Sequence, residues 1–210
     1  MSATSSPYGI QPISSQSGTV RTLRMPNGIP SGLAFQISKF QAVTIDEITN
    51  PGTLLPVTNP GGVPQKVFGI FAGVSYTPKG AQPTDSPYWP SGTTYDTTFD
   101  MFVYIWPVSD SSLRFAVQAD GSVSQVLMGS QFNITNVAAN NTPPGVSLST
   151  VGAAGVAAGS QGQFVLEEFN PSVYDPASSP SSQPGGDAFT DLIVRIAYPQ
   201  ISGGFQPSIG

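Results

Sequence analysis

Apolar residues are densest between Val67 and Gln118, and within this stretch they follow the spacing of β-strands. The segment 113–118, LRFAVQ, alternates larger apolar residues with polar or small ones, and successive side chains of a strand point to opposite faces of a sheet. Segments 67–76 and 99–107 are similarly apolar. The pattern predicts three strands, the last with an apolar face formed by Leu113, Phe115 and Val117.

Weaker strand signals lie on both sides of this stretch. The chain contains 23 Gly and 21 Pro, and these residues occur too often along the chain for long helices to form. Gly69 and Gly73 fall inside a predicted strand, where glycines usually mark a bulge or a close backbone approach. We therefore predict an all-β fold, a β-barrel or β-sandwich of jelly-roll-like or tulip-like form. The further predicted strands are 19–25, 33–40, 41–45, 53–57, 126–128, 131–134, 164–169 and 188–198.

The two ends of the chain differ in composition from its centre. Residues 1–18 are rich in Ser, Gln and Pro, which predicts a flexible N-terminal arm. Residues 19–200 are predicted to form a single β domain with long loops at 77–98 and 170–187. Residues 201–210 are predicted to be a C-terminal tail.

Low charge narrows the classes of partner. Charged residues make up 9% of the chain, against about 25% in typical domains. The net charge is −5 and the seven Lys and Arg residues are dispersed, so we expect no nucleic-acid binding, which needs clustered basic groups. No apolar run is long enough for a membrane-spanning helix. A weakly charged polar surface suits contact with another protein, because little charge must be desolvated.

Candidate catalytic residues are scarce. The chain has neither cysteine nor histidine, which removes thiolate chemistry and the commonest general base and metal ligand. Glu167 and Glu168 are adjacent on a predicted strand and are expected to point to opposite faces, so they do not form a glycosidase pair locally. The acidic residues between 85 and 110 match no calcium-loop spacing. We expect no enzymatic activity, no metal and no cofactor.

The loop at 77–98 carries three large aromatic residues, Tyr88, Trp89 and Tyr95. Loops of this length in compact domains are usually functional or ordered by a partner. Three interpretations stay open: a lid folded back on the core, a contact patch for another protein, or a platform on which a sugar ring stacks. The burial energy of large aromatic side chains favours the lid.

The order of several motifs resembles a family of tailed-bacteriophage virion proteins that act as structural, head decoration or cement proteins. The most specific motifs are of the types YWPxGT and FxVQxDG. An Asp-Asp-Pro turn and an Asn-x-His ending that are usual in the family are missing here. The matching segments are VRTLRMPNGIPSG at 20–32, VFGIFAGVSY at 67–76, YWPSGT at 88–93, VYIWPVSDSSLRFAVQADG at 103–121 and the strand at 192–197.

The resemblance implies a non-enzymatic virion component on the capsid surface. Its expected partner is the major capsid protein, and its expected state is a homotrimer that stabilises the head. A tail, fibre or head-fibre component and a carbohydrate-binding module with exposed aromatic residues are the alternatives. The residues expected to contact the capsid or neighbouring subunits are Tyr88, Trp89, Pro90, Tyr95, Ile10 and Ile13.

Overall fold

The computed structural model describes residues 7–15, 20, 22–59, 63–109, 111–135, 145, 147–157, 160–170 and 189–200. Within these ranges the chain forms thirteen β-strands and a single 3₁₀ turn at Gln125–Leu127, with no α-helix. The predicted all-β class is confirmed. The predicted loop at 170–187 and the predicted tail at 201–210 fall almost wholly outside the described residues.

The first sheet has five antiparallel strands. Phe115 and Val117 lie with Leu113 in the buried core beneath it, which confirms the alternation predicted for 113–118. In spatial order its strands are β1 (Gln11–Ser14), β8 (Arg114–Gln118), β13 (Asp191–Ile196), β12 (Phe164–Phe169) and β9 (Gln131–Phe132).

The second sheet is six-stranded and curls toward closure. The Leu54 N–H donates to the carbonyl oxygen of Gly28 over 2.7 Å, which brings the two outer strands of the sheet together. A separate pair joins β10 (Ile134–Thr135) to β11 (Thr150–Val151). In spatial order the sheet contains β2 (Leu23–Pro26), β7 (Phe102–Pro107), β5 (Gly69–Tyr76), β3 (Ala42–Ile45) and β4 (Leu54–Pro56), with β6 (Thr84–Ser86) paired to β5.

The second sheet is buried on both faces, because a bulge in β5 changes which side chains share a face. Ile70 packs into the core between the two sheets. Phe71, Val74 and Tyr76 pack into a second core on the opposite side, although strict alternation would separate Phe71 from the other two. The pairing register shifts between Phe71 and Gly73, so that Ala72 is an extra residue without a partner on β7. This extra residue places Phe71, Val74 and Tyr76 on the same face.

The prediction for the two glycines is confirmed: a bulge lies beside Gly73, and backbone atoms closely approach both residues. A Cβ atom on Gly69 would lie 2.7 Å from the backbone carbonyl oxygen of Trp106, and one on Gly73 would lie 3.0 Å from that of Ser86. The contact at Gly69 is closer than Cβ atoms approach other heavy atoms, and Gly73 has a φ of 156°, which side chains other than glycine rarely adopt. Both positions therefore require glycine for close backbone approach.

The N-terminal segment belongs to the fold, so the flexible arm predicted at 1–18 is wrong for residues 11–14. These residues form β1, which pairs with β8. Ile10 is fully buried, and its N–H donates to the Phe40 carbonyl oxygen over 2.9 Å. The Ser-rich composition of residues 1–18 gave no indication that Ile10 would be buried in the core. Residues 1–6 and 16–19 lie outside the described ranges.

Residues 33–40 do not form the predicted strand. Their backbone groups pair with the long loop instead, as the bridge between Ile37 and Trp89 shows. Phe40 adopts a φ of 67°, which is incompatible with a continuous extended strand. Together with the loop at 77–98, this segment covers the second core.

Candidate docking surfaces

Trp89 lies in the second core and is fully buried. Its ring centroid is 4.9 Å from that of Tyr76 and 6.2 Å from that of Tyr95. The expected surface contact through Trp89 is therefore wrong for this conformation, and the lid interpretation describes its position. Tyr88, Pro90 and Tyr95 are half-buried beside it.

The backbone around Trp89 is fastened to the facing segment. The Trp89 N–H donates to the Ile37 carbonyl oxygen over 2.7 Å, and the Ile37 N–H donates in return over 3.0 Å. The N–H groups of Gly92 and Gly32 donate to the carbonyl oxygens of Leu33 and Thr93. Among the described residues the indole Nε1 of Trp89 has no hydrogen-bond partner. The YWPSGT motif therefore closes a core.

The second specific motif, FAVQADG at 115–121, also occupies structural positions. Phe115 and Val117 are core residues. The carboxylate of Asp120 accepts a hydrogen bond from the Ala153 N–H over 2.7 Å, and the Gly121 carbonyl accepts one from the Thr190 N–H. The two most specific motifs of the family resemblance thus contribute to the cores and to the hydrogen bonds around them.

The two isoleucines predicted as contacts in the N-terminal segment differ sharply in exposure. Ile10 is fully buried, which corrects its expected role as a surface contact. Ile13 is 45% exposed on β1, an edge strand that pairs only with β8 within the described part of the chain. Ile13 is thus exposed on an edge strand, whereas Ile10 anchors that strand in the core.

An apolar groove opens between β2 and the hairpin formed by β3 and β4. It encloses about 580 Å³. Leu23 is 44% exposed there, and β2 pairs only with β7 in the described ranges, so its other edge has no strand partner within them. The groove's apolar walls are formed by Leu23, Met25, Ile45 and Phe68. Sequence reasoning missed this groove, because it depends on the curling of the second sheet.

The charged groups at the groove are already partnered. The Asp46 carboxylate accepts hydrogen bonds from the N–H groups of Ile48, Thr49 and Asn50; these bonds hold the pKa of Asp46 below its usual range. The Arg24 guanidinium lies 3.4 Å from the centroid of the Phe102 ring. A partner entering the groove therefore meets little unpaired charge.

Gln200 fastens the end of the described chain to the rim of the groove. Its Oε1 accepts hydrogen bonds from the Ile45 N–H over 2.6 Å and from the Thr44 hydroxyl over 2.7 Å. Its Nε2 donates to the Ile45 carbonyl oxygen and to the Glu47 carboxylate. The side chain thus binds the backbone of β3 as a neighbouring strand would.

Glu167 forms an ion-pair network across three strands of the first sheet. It binds the Nε atoms of Arg114 and Arg195 at 2.7 and 2.8 Å. Partial burial alone would raise the pKa of Glu167, but the hydrogen bonds from the two arginines outweigh it and lower that pKa. The pairing register shifts between Leu166 and Glu168, so the strict alternation expected for Glu167 and Glu168 does not hold.

We expect the Glu167 network to make stability depend on pH. Because folding lowers this pKa, the stabilisation is present above the unfolded value of about 4.3 and is lost as the pH falls through the folded value. Glu167→Gln should lower the melting temperature at pH 7, and the difference from the wild type should vanish at the lowest pH. The exposed neighbour variant Glu168→Gln is the control. An equal difference at every pH would contradict this assignment.

The chain matches no protein-family model, no curated protein and no solved structure. No group of three acidic side chains that could hold a metal ion occurs within the described ranges. The same ranges contain no helix long and apolar enough to cross a membrane. The assignment to bacteriophage virion proteins therefore stays a prediction.

Proposed function

We propose that this protein is a bacteriophage capsid decoration protein that binds the outer surface of the major capsid protein shell and stabilises the head. The observation that carries the proposal is the groove between β2 and the β3–β4 hairpin, which joins apolar walls to an open strand edge. Protein partners bind such edges by adding a strand, with backbone hydrogen bonds for affinity and side-chain pockets for specificity.

The charge distribution favours a protein partner. The carboxylate of Asp46 is bonded by backbone N–H groups and the guanidinium of Arg24 rests on an aromatic ring, so neither group is left without a partner when docking displaces water. The chain as a whole carries few charged residues. We propose that the major capsid protein supplies the docking segment, and that the decoration protein acts as a homotrimer without enzymatic activity.

Stabilisation of a shell requires a rigid module that repeats over many symmetric sites. Two separate cores on either side of one sheet supply that rigidity. Tyr88, Pro90, Tyr95 and Ile13 remain proposed secondary contacts. Sugar stacking on Trp89 is not proposed, since its ring has no exposed face.

The proposal is tested by co-sedimentation of the purified protein with capsids that lack it. Leu23→Asp places a charge on the apolar wall of the groove and is expected to weaken binding at least about tenfold, since one uncompensated charge at an interface costs more than 1.4 kcal/mol. Val126→Asp is the matched control, because Val126 is 79% exposed outside the groove. Wild-type binding by a folded Leu23→Asp variant would refute docking through the groove.

A further inference from the structure

We infer that the groove is a peptide-binding surface whose occupant in the free protein is the chain's own segment 201–210, ISGGFQPSIG, lying as an added strand along β2. The inference concerns the free protein and does not depend on the proposed function. Three observations carry it: the place where the described chain reaches the groove, the spacing of apolar residues in the segment, and its lack of charge.

The chain arrives at the groove with a fixed position and direction. Its last described residues lie beside the residues that precede β5, as the parallel bridge between Val67 and Pro199 shows. The Gln200 N–H donates to the Val67 carbonyl oxygen over 2.7 Å, and the Gln200 side chain is bonded to Ile45. The next residues therefore start at the rim, beside the groove residue Phe68.

The segment has the apolar spacing of a strand that covers a groove. Ile201, Phe205 and Ile209 are four residues apart, so in an extended chain all three side chains lie on one face. Ten extended residues reach about 33 Å, which is ample to pass the four residues of β2. The Pro207 nitrogen lacks a hydrogen and is tolerated because the added strand would itself be an edge.

The chemistry of the groove matches this occupant. The segment contains no Asp, Glu, Lys or Arg, and the acidic groups at the rim are bonded already, Asp46 by backbone N–H groups and Glu47 by Gln200. Leu23 and Met25 stand two residues apart on β2 and line the groove together. An uncharged strand with one apolar face covers them without bringing a new charge into the groove.

A cysteine pair tests the occupant directly, because the chain has no cysteine of its own. Leu23→Cys with Phe205→Cys is expected to form an intramolecular disulfide on mild oxidation, seen as a faster monomer band on a non-reducing gel. Val126→Cys with Phe205→Cys is the control and should stay reduced. A disulfide-linked dimer would show that a second copy of the chain occupies the groove. Cross-linking no faster than in the control would show that segment 201–210 does not occupy it. Either result would overturn the inference.

A second measurement avoids engineered cysteines. Met25 lines the groove, whereas Met128 is 43% exposed elsewhere. In the full chain, Phe205→Asp is expected to raise the rate of Met25 oxidation by peroxide several-fold and to leave Met128 unchanged, as read by peptide mass spectrometry. Ser208→Asp adds the same charge to the opposite face of the segment and should change neither rate. Equal Met25 rates in the wild type and Phe205→Asp would contradict the inference.

Both measurements use the free protein, so they stay informative if capsid docking fails. If docking through the groove holds as well, the capsid must displace the segment. Phe205→Asp should then bind capsids more tightly than the wild type does.

Discussion

Replacing Trp89 with alanine is expected to lower the free energy of unfolding by about 3–5 kcal/mol, the range for large aromatic side chains removed from a core. The side chain is fully buried between Tyr76 and Tyr95. Its loss opens a cavity in the second core and frees the loop that closes it. Chemical denaturation followed by circular dichroism measures the change.

Two further variants test whether the loss of stability in Trp89→Ala comes from the burial of the side chain. Trp89→Phe keeps an aromatic ring and removes an indole N–H that has no partner among the described residues, so it should cost clearly less than alanine does. Phe99→Ala, at a residue that is 55% exposed, should change stability by about 0.5 kcal/mol or less. A loss for Trp89→Ala no larger than that for Phe99→Ala would show that the loop does not cover a core.

Replacing Ile10 with alanine is expected to cost about 2–5 kcal/mol. Ile10 is fully buried in the core between the sheets, and it anchors β1 beside β8. Ile13→Ala on the same strand, at a residue 45% exposed, is the matched control and should cost about 0.5 kcal/mol or less. The two variants are compared by the same denaturation experiment. Equally small losses of stability in the two variants would instead support the flexible N-terminal arm that the composition predicts.

Local sequence patterns predicted the central strands well, because their signals are short-range. The alternation in 113–118 and the segment 164–169 both mark strands, and the latter agrees with β12 (Phe164–Phe169) residue for residue. Gly73 marked the bulge, and Gly69 marked a close backbone approach. In each case the order of apolar, polar and glycine residues within a few positions is enough to indicate the local backbone structure.

Features that depend on distant contacts were not predictable. Ser-rich composition concealed Ile10, whose partner Phe40 is thirty positions away. An aromatic residue in a loop does not reveal its own burial, so Trp89 was compatible with both a lid and a surface patch. The groove is lined by residues that are far apart in the sequence, from Leu23 to Gln200, and no local pattern encodes their approach.

The two most specific motifs of the family resemblance and the proposed docking surface involve different residues, although segment 20–32, which also carries the resemblance, contains β2. The motifs YWPSGT and FAVQADG contribute residues to the two cores. The groove lies on β2 and β3, and sequence reasoning did not point to it. Variants at Leu23 or Met25 therefore test function without changing YWPSGT or FAVQADG.

The most direct test of the central claim is the copy number of this protein relative to the major capsid protein in purified virus particles, measured by quantitative mass spectrometry. A capsid decoration protein is predicted to be present at a ratio near one, or at the simple fraction expected for trimers at symmetry sites. A handful of copies per particle would indicate a tail or vertex component instead. Absence of the protein from the particles would contradict the proposed function altogether.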